Sequence, residues 1–312
     1  MSDARILVVG DLNIDIIVAG LPELPRLGTE RVGTDFAMVP GGSATNMACT
    51  LAALGAKVSL IARVGHDSFG DFLVQHVSRV GVDTTHILRD PDHRTGVTVA
   101  LACGPDRAFA TFSGAVRGLA PEDIDDDVLR SASHVHIAGY YLVPRLGAGA
   151  GDVFARARDQ GCTTSLDTGF APSGDWQTDA VRVVLPYCDY FLPNEVELAA
   201  LTGIADPIAA AQELAVCGCT VVAKLGGDGA AVISADGEVA HQPPYVVEPL
   251  DTTGCGDAFN AAFIKARVEG MPVADSLRLA SACGALCATR LGGSEVIRSA
   301  DEVAAFAEGR PG

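Results

Sequence analysis

The sequence predicts an α/β fold, with a mainly parallel central sheet covered by helices on both faces and a small β-sheet beside it. Three observations carry this. Short apolar runs alternate with helical patterns along most of the chain, the order that βαβ units produce. Apolar residues make up 48% of the 312 positions, rich in Ala, Val, Leu and Gly and with only 5% aromatics; that mix suits strands buried on both faces and closely packed helices. Two stretches, about 15–40 and 96–114, hold short runs with Pro and Gly but no helical period, and they read as antiparallel strands standing off the main sheet.

Ile6–Val9 opens the chain as a buried strand ending at Gly10-Asp11, too short for a signal segment or a membrane span. Further strands are expected at Val58–Ile61, Val97–Ala102, His134–Ile137, Thr163–Leu166, Tyr190–Leu192, Val221–Lys224 and Ala230–Ile233. Between them helical periodicity marks Ser43–Leu54, Phe69–Val80, Asp152–Gln160, Glu195–Thr202 and Ile208–Val216, with Asp257–Glu269 and Val273–Thr289 following. The 96–114 stretch reads as a hairpin turning at Gly104-Pro-Asp-Arg107. No repeat, low-complexity tract or linker interrupts the pattern, so a single domain over 1–312 is expected.

The net charge of −17, from 39 acidic and 22 basic residues, repels nucleic acid and anionic membranes, and neither is an expected partner. A local nest of backbone N–H groups can still bind an anionic ligand. Nine scattered cysteines without a CxxC pair argue against a disulfide framework or zinc site and for a reducing cytoplasm. The seven histidines form no metal or triad pattern.

Chemistry concentrates in Asp251-Thr-Thr-Gly-Cys-Gly-Asp257, small residues running into a helix that is expected to start near Asp257. First-turn N–H groups lack intrahelical partners and the helix start is partly positive, so Gly254, Cys255 and Gly256 can form an anion hole. A carboxylate there can take a proton from a substrate hydroxyl; taken alone, it could equally be a helix cap. Upstream, Pro40-Gly-Gly-Ser-Ala-Thr-Asn46 again places paired glycines before a helix, with an amide able to donate to and accept from a hydroxyl.

Together these two motifs resemble the paired signatures of the ribokinase-like (phosphofructokinase B) carbohydrate kinase family. Intermediate elements match in order: Gly10-Asp11-Leu-Asn13-Ile-Asp15, Ala62-Arg-Val-Gly65-x-Asp67-x-x-Gly70, Pro193-Asn194-Glu195-x-Glu197 and Lys224-Leu-Gly226-x-x-Gly229. The resemblance implies a three-layer α/β/α fold with a β lid and an ATP-dependent kinase acting on a hydroxymethyl group of a small ribose- or fructose-like sugar. It implies Asp257 as base, and Gly254, Cys255 and Gly256 as the anion hole. Asn13, Asp15, Gly41, Gly42 and Asn46 would bind the sugar, with Tyr140 at a position where ribokinase has an acidic contact. Asn194, Lys224, Gly226 and Gly229 would bind ATP, and Glu197 would organise Mg²⁺ through water; Lys224, where relatives often carry Thr or Ser, could add a phosphate contact or equally be an ordinary strand-end lysine. A potassium site would draw on Asp251, Thr253, Arg290 and Gly292, though the closing Ser sits closer, as Ser294. It also implies a homodimer joined through the lid.

The substrate wall departs from relatives at Tyr140 and at Leu166-Asp-Thr-Gly-Phe170, which lacks the Arg often present for acidic sugars; Tyr140 and Phe170 could instead be core, and Arg107 a solvated turn residue. A nucleoside kinase of the same family, with Phe109, Phe112, Tyr140 or Phe170 forming a base slot, is the alternative; a non-catalytic sugar-binding regulator is a further one. The chain has no Gly-x4-Gly-Lys-Ser/Thr loop, and Gly10-Asp11-Leu does not fit a dinucleotide fingerprint.

Overall fold

A computed structural model describes residues 4–103, 106–237, 239–290, 292–293 and 295–309. The main sheet holds β1 (Arg5–Val9), β4 (Lys57–Gly65), β5 (Ile87–Asp90), β8 (His134–Ile137), β9 (Thr163–Leu166), β10 (Tyr190–Phe191), β11 (Thr220–Lys224), β12 (Ala230–Ile233) and β13 (Val239–Gln242). Their spatial order is β13-β12-β11-β10-β9-β8-β1-β4-β5. All pairings from β5 to β11 are parallel, while β11–β12 and β12–β13 are antiparallel.

Alternation along the strands splits the interior in two. Ile6 and Val8 face one core, formed with α1 (Ser43–Ala53), α2 (Ser68–Arg79), α9 (Cys255–Val268), α10 (Val273–Ala288) and α11 (Ala300–Ala307). Leu7 and Val9 face the other, built with α3 (Asp126–Arg130), α4 (Pro144–Ala148), α5 (Ala150–Asp159), α6 (Thr178–Val184), α7 (Glu195–Thr202) and α8 (Pro207–Ala215). This is the three-layer arrangement that buried, doubly covered strands require.

On the α9 side, β8 and β9 carry polar residues that satisfy one another. His134 lies 2.7 Å from Thr163 Oγ1 and 2.6 Å from Ser165 Oγ, and His136 Nδ1 lies 2.7 Å from Ser165 Oγ. Burial holds both rings neutral, pushing His136 down to about 4.

The second sheet has the order β3-β2-β6-β7, from β2 (Asn13–Ala19), β3 (Asp35–Gly41), β6 (Val97–Cys103) and β7 (Asp106–Phe112). Each hairpin is antiparallel, but the two join through a parallel β2–β6 pairing, Ile14 opposite Val97. The expectation of antiparallel strands throughout is corrected here. Both β2 and β6 leave the body at one place, where Ile14 N donates to Gly96 O at 2.9 Å, and so they run the same way. Gly104 and Pro105, half of the expected turn, lie outside the described residues, as does the Arg107 side chain.

β5, β13, α3, α4, α6 and α11 were absent from the sequence pattern. They are short, and a few residues carry too little period to register.

Candidate active site

β1 is flanked by β4 on one side and β8 on the other, so the chain's winding reverses beside it, and the crevice beyond such strand ends is where α/β sheets bind ligands. Into this crevice come Asp11 after β1, Asp167 after β9, Asn194 after β10 and Lys224 at the end of β11, with the N-termini of α1 and α9.

Helix α9 starts at Cys255, two residues before the expected position, because Gly254 adopts the left-handed conformation (φ 75°) and serves as N-cap. Asp257 therefore lies in the first turn. Its Oδ2 accepts from Asn46 Nδ2 at 2.8 Å, linking α9 to α1. Burial raises the Asp257 carboxyl to about 7, aided by the Asp167 charge and opposed by the Asn46 bond and Lys224. Asn46 Oδ1 is buried without a partner among the described residues, an acceptor left for a hydroxyl.

Asp11 accepts from Ser43 N (3.2 Å) and Ala44 N (3.1 Å), so the start of α1 is capped from outside the helix. Asn13 Nδ2 donates to Asp15 Oδ1 at 2.8 Å, and burial with the nearby Asp11 charge raises Asp15 to about 6. The paired glycines follow from crowding. A Cβ on Gly41 would fall 2.3 Å from the Asp15 carboxylate, and one on Gly42 (φ 106°) would fall 2.5 Å from Asp11 O.

On the other side of Asp257 opens a cavity of about 680 Å³, within the range of small-molecule sites. Gly254, Cys255, Gly256, Asn194, Glu197 and Lys224 line its polar end; Tyr245, Val246, Pro249, Ala285 and Ala288 line its apolar part, and Gly226 and Gly229 border it. Asn194 caps α7 reciprocally: Glu197 N donates to its Oδ1 at 2.9 Å, and Asn194 N and Nδ2 donate to the Glu197 carboxylate at 3.0 and 2.8 Å. Burial raises Glu197 to about 7, with the charge of Asp167 adding to it and Lys224 opposing. Among the described residues no group of three or more His, Cys, Asp or Glu could hold a metal by itself.

Asp251 accepts from Thr253 N (3.0 Å), Thr253 Oγ1 (2.7 Å) and Gly292 N (3.2 Å), so three residues of the expected cation site meet. The Arg290 side chain turns to Glu302, and Ser294 lies outside the described residues. Tyr140 is 3% exposed and packs in the second core, while Phe170 is 69% exposed, edge-on to Trp176.

Sequence reading passed over Asp11, Asp167 and Asn260 as functional candidates. Asp167 and Asn260 are buried and meet Lys224, whose Nζ lies 2.7 Å from Asp167 Oδ2 and 3.4 Å from Asn260 Oδ1. The signal for Asp167 was a carboxylate directly after the expected strand Thr163–Leu166, at the C-terminal end that a parallel sheet aims at its ligand crevice.

The sequence pattern of the pfkB family carbohydrate kinase matches residues 3–300. An ATP-dependent ribose-1-phosphate kinase from Halopiger xanaduensis is 32% identical over 309 residues, covering 97% of each chain. A ribokinase from Haemophilus influenzae is 27% identical, covering 96% of this chain and 97% of its own. A solved structure of a putative ribokinase II from E. coli, in complex with ATP and Mg²⁺, superposes with a TM-score of 0.85 at 26% identity, covering 98% of this chain and all (100%) of that one.

Proposed function

The chain belongs to the pfkB family of carbohydrate kinases, and from its site we propose that it transfers the γ-phosphoryl group of MgATP to a hydroxymethyl group of a small ribose- or fructose-like sugar. The observation that carries this is the Asn46–Asp257 bond at the helix start bordering the cavity. It joins a buried carboxylate, an amide with a spare acceptor oxygen and a helix start, which supports a base, a hydroxyl contact and an anion hole at one point.

The acceptor oxygen forms a bond to the γ-phosphorus as the bond to the ADP oxygen breaks, and the hydroxyl proton passes to Asp257. Amides of Gly254, the N-cap, and of Cys255 and Gly256 in the first turn take charge developing on the phosphoryl oxygens. Asn13, Asp15, Gly41, Gly42 and Asn46 hold the acceptor. The nucleotide occupies the cavity, with Asn194, Lys224, Gly226 and Gly229 beside its phosphates. Tyr140 supports the acceptor wall from within the core.

Glu197 fits a hard divalent cation: its carboxylate is buried, faces the cavity and is oriented by Asn194. With too few neighbours to form a full cage, Glu197 would hold Mg²⁺ through water while the phosphates supply the rest. Bound there, Mg²⁺ would supply positive charge to offset that of the phosphates. The meeting of Asp251, Thr253 and Gly292 around the Asp251 carboxylate supports a potassium site there, to which Arg290 would add only its backbone, since its side chain pairs with Glu302. The lid sheet closes over the acceptor and excludes water, which would compete as nucleophile, and a second copy of the chain covers it. A cytoplasmic location fits the free thiols among the described residues.

The test is ADP release from ATP with a panel of ribose, deoxyribose, fructose, ribose 1-phosphate, sugar acids and nucleosides. Turnover with a sugar is expected. A strong nucleoside preference would replace the acceptor reading, and no turnover with any acceptor would reject the kinase reading.

A further inference from the structure

Asp167 and Asn260 have no part in the proposal above, yet they grip the one cation that lines the cavity among the described residues. Asp167 Oδ1 accepts from Gly169 N at 2.8 Å, and its Oδ2 accepts both Lys224 Nζ at 2.7 Å and Asn260 Nδ2. Because Asn260 donates to Asp167, its Oδ1 is turned to Lys224 Nζ, 3.4 Å away. The ammonium group thus spends two of its three protons on the clamp. Side-chain exposure is 13% for Lys224 and 6% for Asp167.

The clamp is placed, not merely buried. Lys224 Nζ lies 3.6 Å from where a Cβ on Gly256 would stand, beside the first turn of α9. Asn260 sits one helical turn after Asp257 on that helix. Lys224, Gly256 and Asp257 all line the cavity, together with the carboxylates of Asp167, Glu195 and Glu197. A buried ion pair seldom stabilises a fold more than apolar residues of the same size, so the arrangement calls for another reason.

Resting on the kinase reading, we propose that Asp167 and Asn260 are positioning residues that fix the Lys224 ammonium against the first turn of α9, so that its third proton binds the transferring phosphoryl group. Lys224 then supplies a fixed positive charge at the phosphorus, while Asp167 keeps it from collapsing onto Asp257. The charge pattern around the base gives a signature. Asp257 is faced by Asn46 from α1, Asp11 after β1, Asp167 after β9, Lys224 from β11 and Cys287 from α10. Lys224 favours its ionised form and Asp167 disfavours it.

The experiment compares Lys224→Met, Asp167→Asn and Asn260→Ala in the full chain, on whichever acceptor the wild-type protein turns over. Lys224→Met is expected to lower kcat about 10²-fold or more, as loss of one phosphoryl-stabilising donor does, with the KM for the acceptor nearly unchanged. It should weaken a β,γ-imido analogue of MgATP about tenfold or more, the loss expected for a charge-assisted bond, and leave MgADP within about twofold. The acidic limb of kcat/KM should move to higher pH in Lys224→Met and to lower pH in Asp167→Asn. Asn260→Ala should lower kcat while retaining the ion pair, and it serves if Asp167→Asn does not fold. Equal weakening of the analogue and MgADP, near-normal kcat in Lys224→Met, or limbs that stay put or move together would overturn the proposal. Failure of the wild-type protein to release ADP with any acceptor would instead sink the kinase reading on which it rests.

Discussion

At the scale of single residues, the balance at Asp257 sets the pH at which a base could work. Burial raises its carboxyl to about 7, while Asn46 and Lys224 pull it down. Only the ionised form accepts a proton, so kcat/KM should fall as pH drops through about 7. Replacing Asp257 with Asn keeps an acceptor for Asn46 but removes the proposed base; a loss of about 10²–10⁴-fold in kcat is expected, with MgATP affinity largely kept. Near-normal turnover of this variant on the true acceptor would show that the proton leaves by another route. Asp257, Asn46 and the glycines were legible in the sequence because small residues before a helix leave a compact pattern. Asp167 was not, since its partners lie on β11 and α9, far along the chain, and only folding brings the ion pair together. Tyr140 carried the opposite ambiguity: an aromatic at a strand end suits a wall or a core, and the structure puts its ring among Val143, Leu146 and their neighbours.

At the scale of elements, the strands and helices expected from the sequence were read to within a few residues. His134–Ile137, Thr163–Leu166, Ala230–Ile233 and Glu195–Thr202 agree at both ends. Short helices and the antiparallel strand β13 escaped, and the parallel joint of the two lid hairpins had no local signal because register across 80 residues is set by the body they leave. Ile16 and Met38 pack against the first core, yet Phe36, Phe109 and Phe112 remain 64%, 65% and 57% exposed. Exposed aromatic area on a small sheet supports the proposed lid-to-lid dimer. Phe109→Asp should shift a dimer to monomer by light scattering at micromolar concentration. A wild-type protein that is monomeric there would exclude the lid interface.

At the scale of the whole molecule, the site stores electrostatic stress. Asp257 and Glu197 are raised to about 7 and Asp15 to about 6, all through burial first. A carboxyl with a raised folded-state pKa holds its proton in the native state after the unfolded chain, titrating near ~4, has lost it. Stability from these groups is therefore greatest near the unfolded pKa and declines as pH rises through about 6 to 7. Groups of the other kind act lower down. Asp83, despite partial burial, is held at about 2 by bonds from Thr85, Ser59 and Arg5, and its contribution disappears only in strong acid. Without ligands the melting temperature should fall from pH 5 to pH 8, and Asp257→Asn should flatten the slope. A melting temperature that is constant or rises across that range in the wild-type protein would contradict this account.

The Asn46–Asp257 bond joins positions 211 residues apart, and this has a consequence for how the protein comes into being. A ribosome releases Asn46 and the other proposed acceptor-side residues early and the proposed base only after most of the chain, and domains larger than about 150 residues fold through intermediates as they emerge. Until α9 is made and docked on α1, the amide has no carboxylate to meet. A growing chain can bury its first strands and still own no active site, so chemical competence arrives late, as one of the last contacts of synthesis.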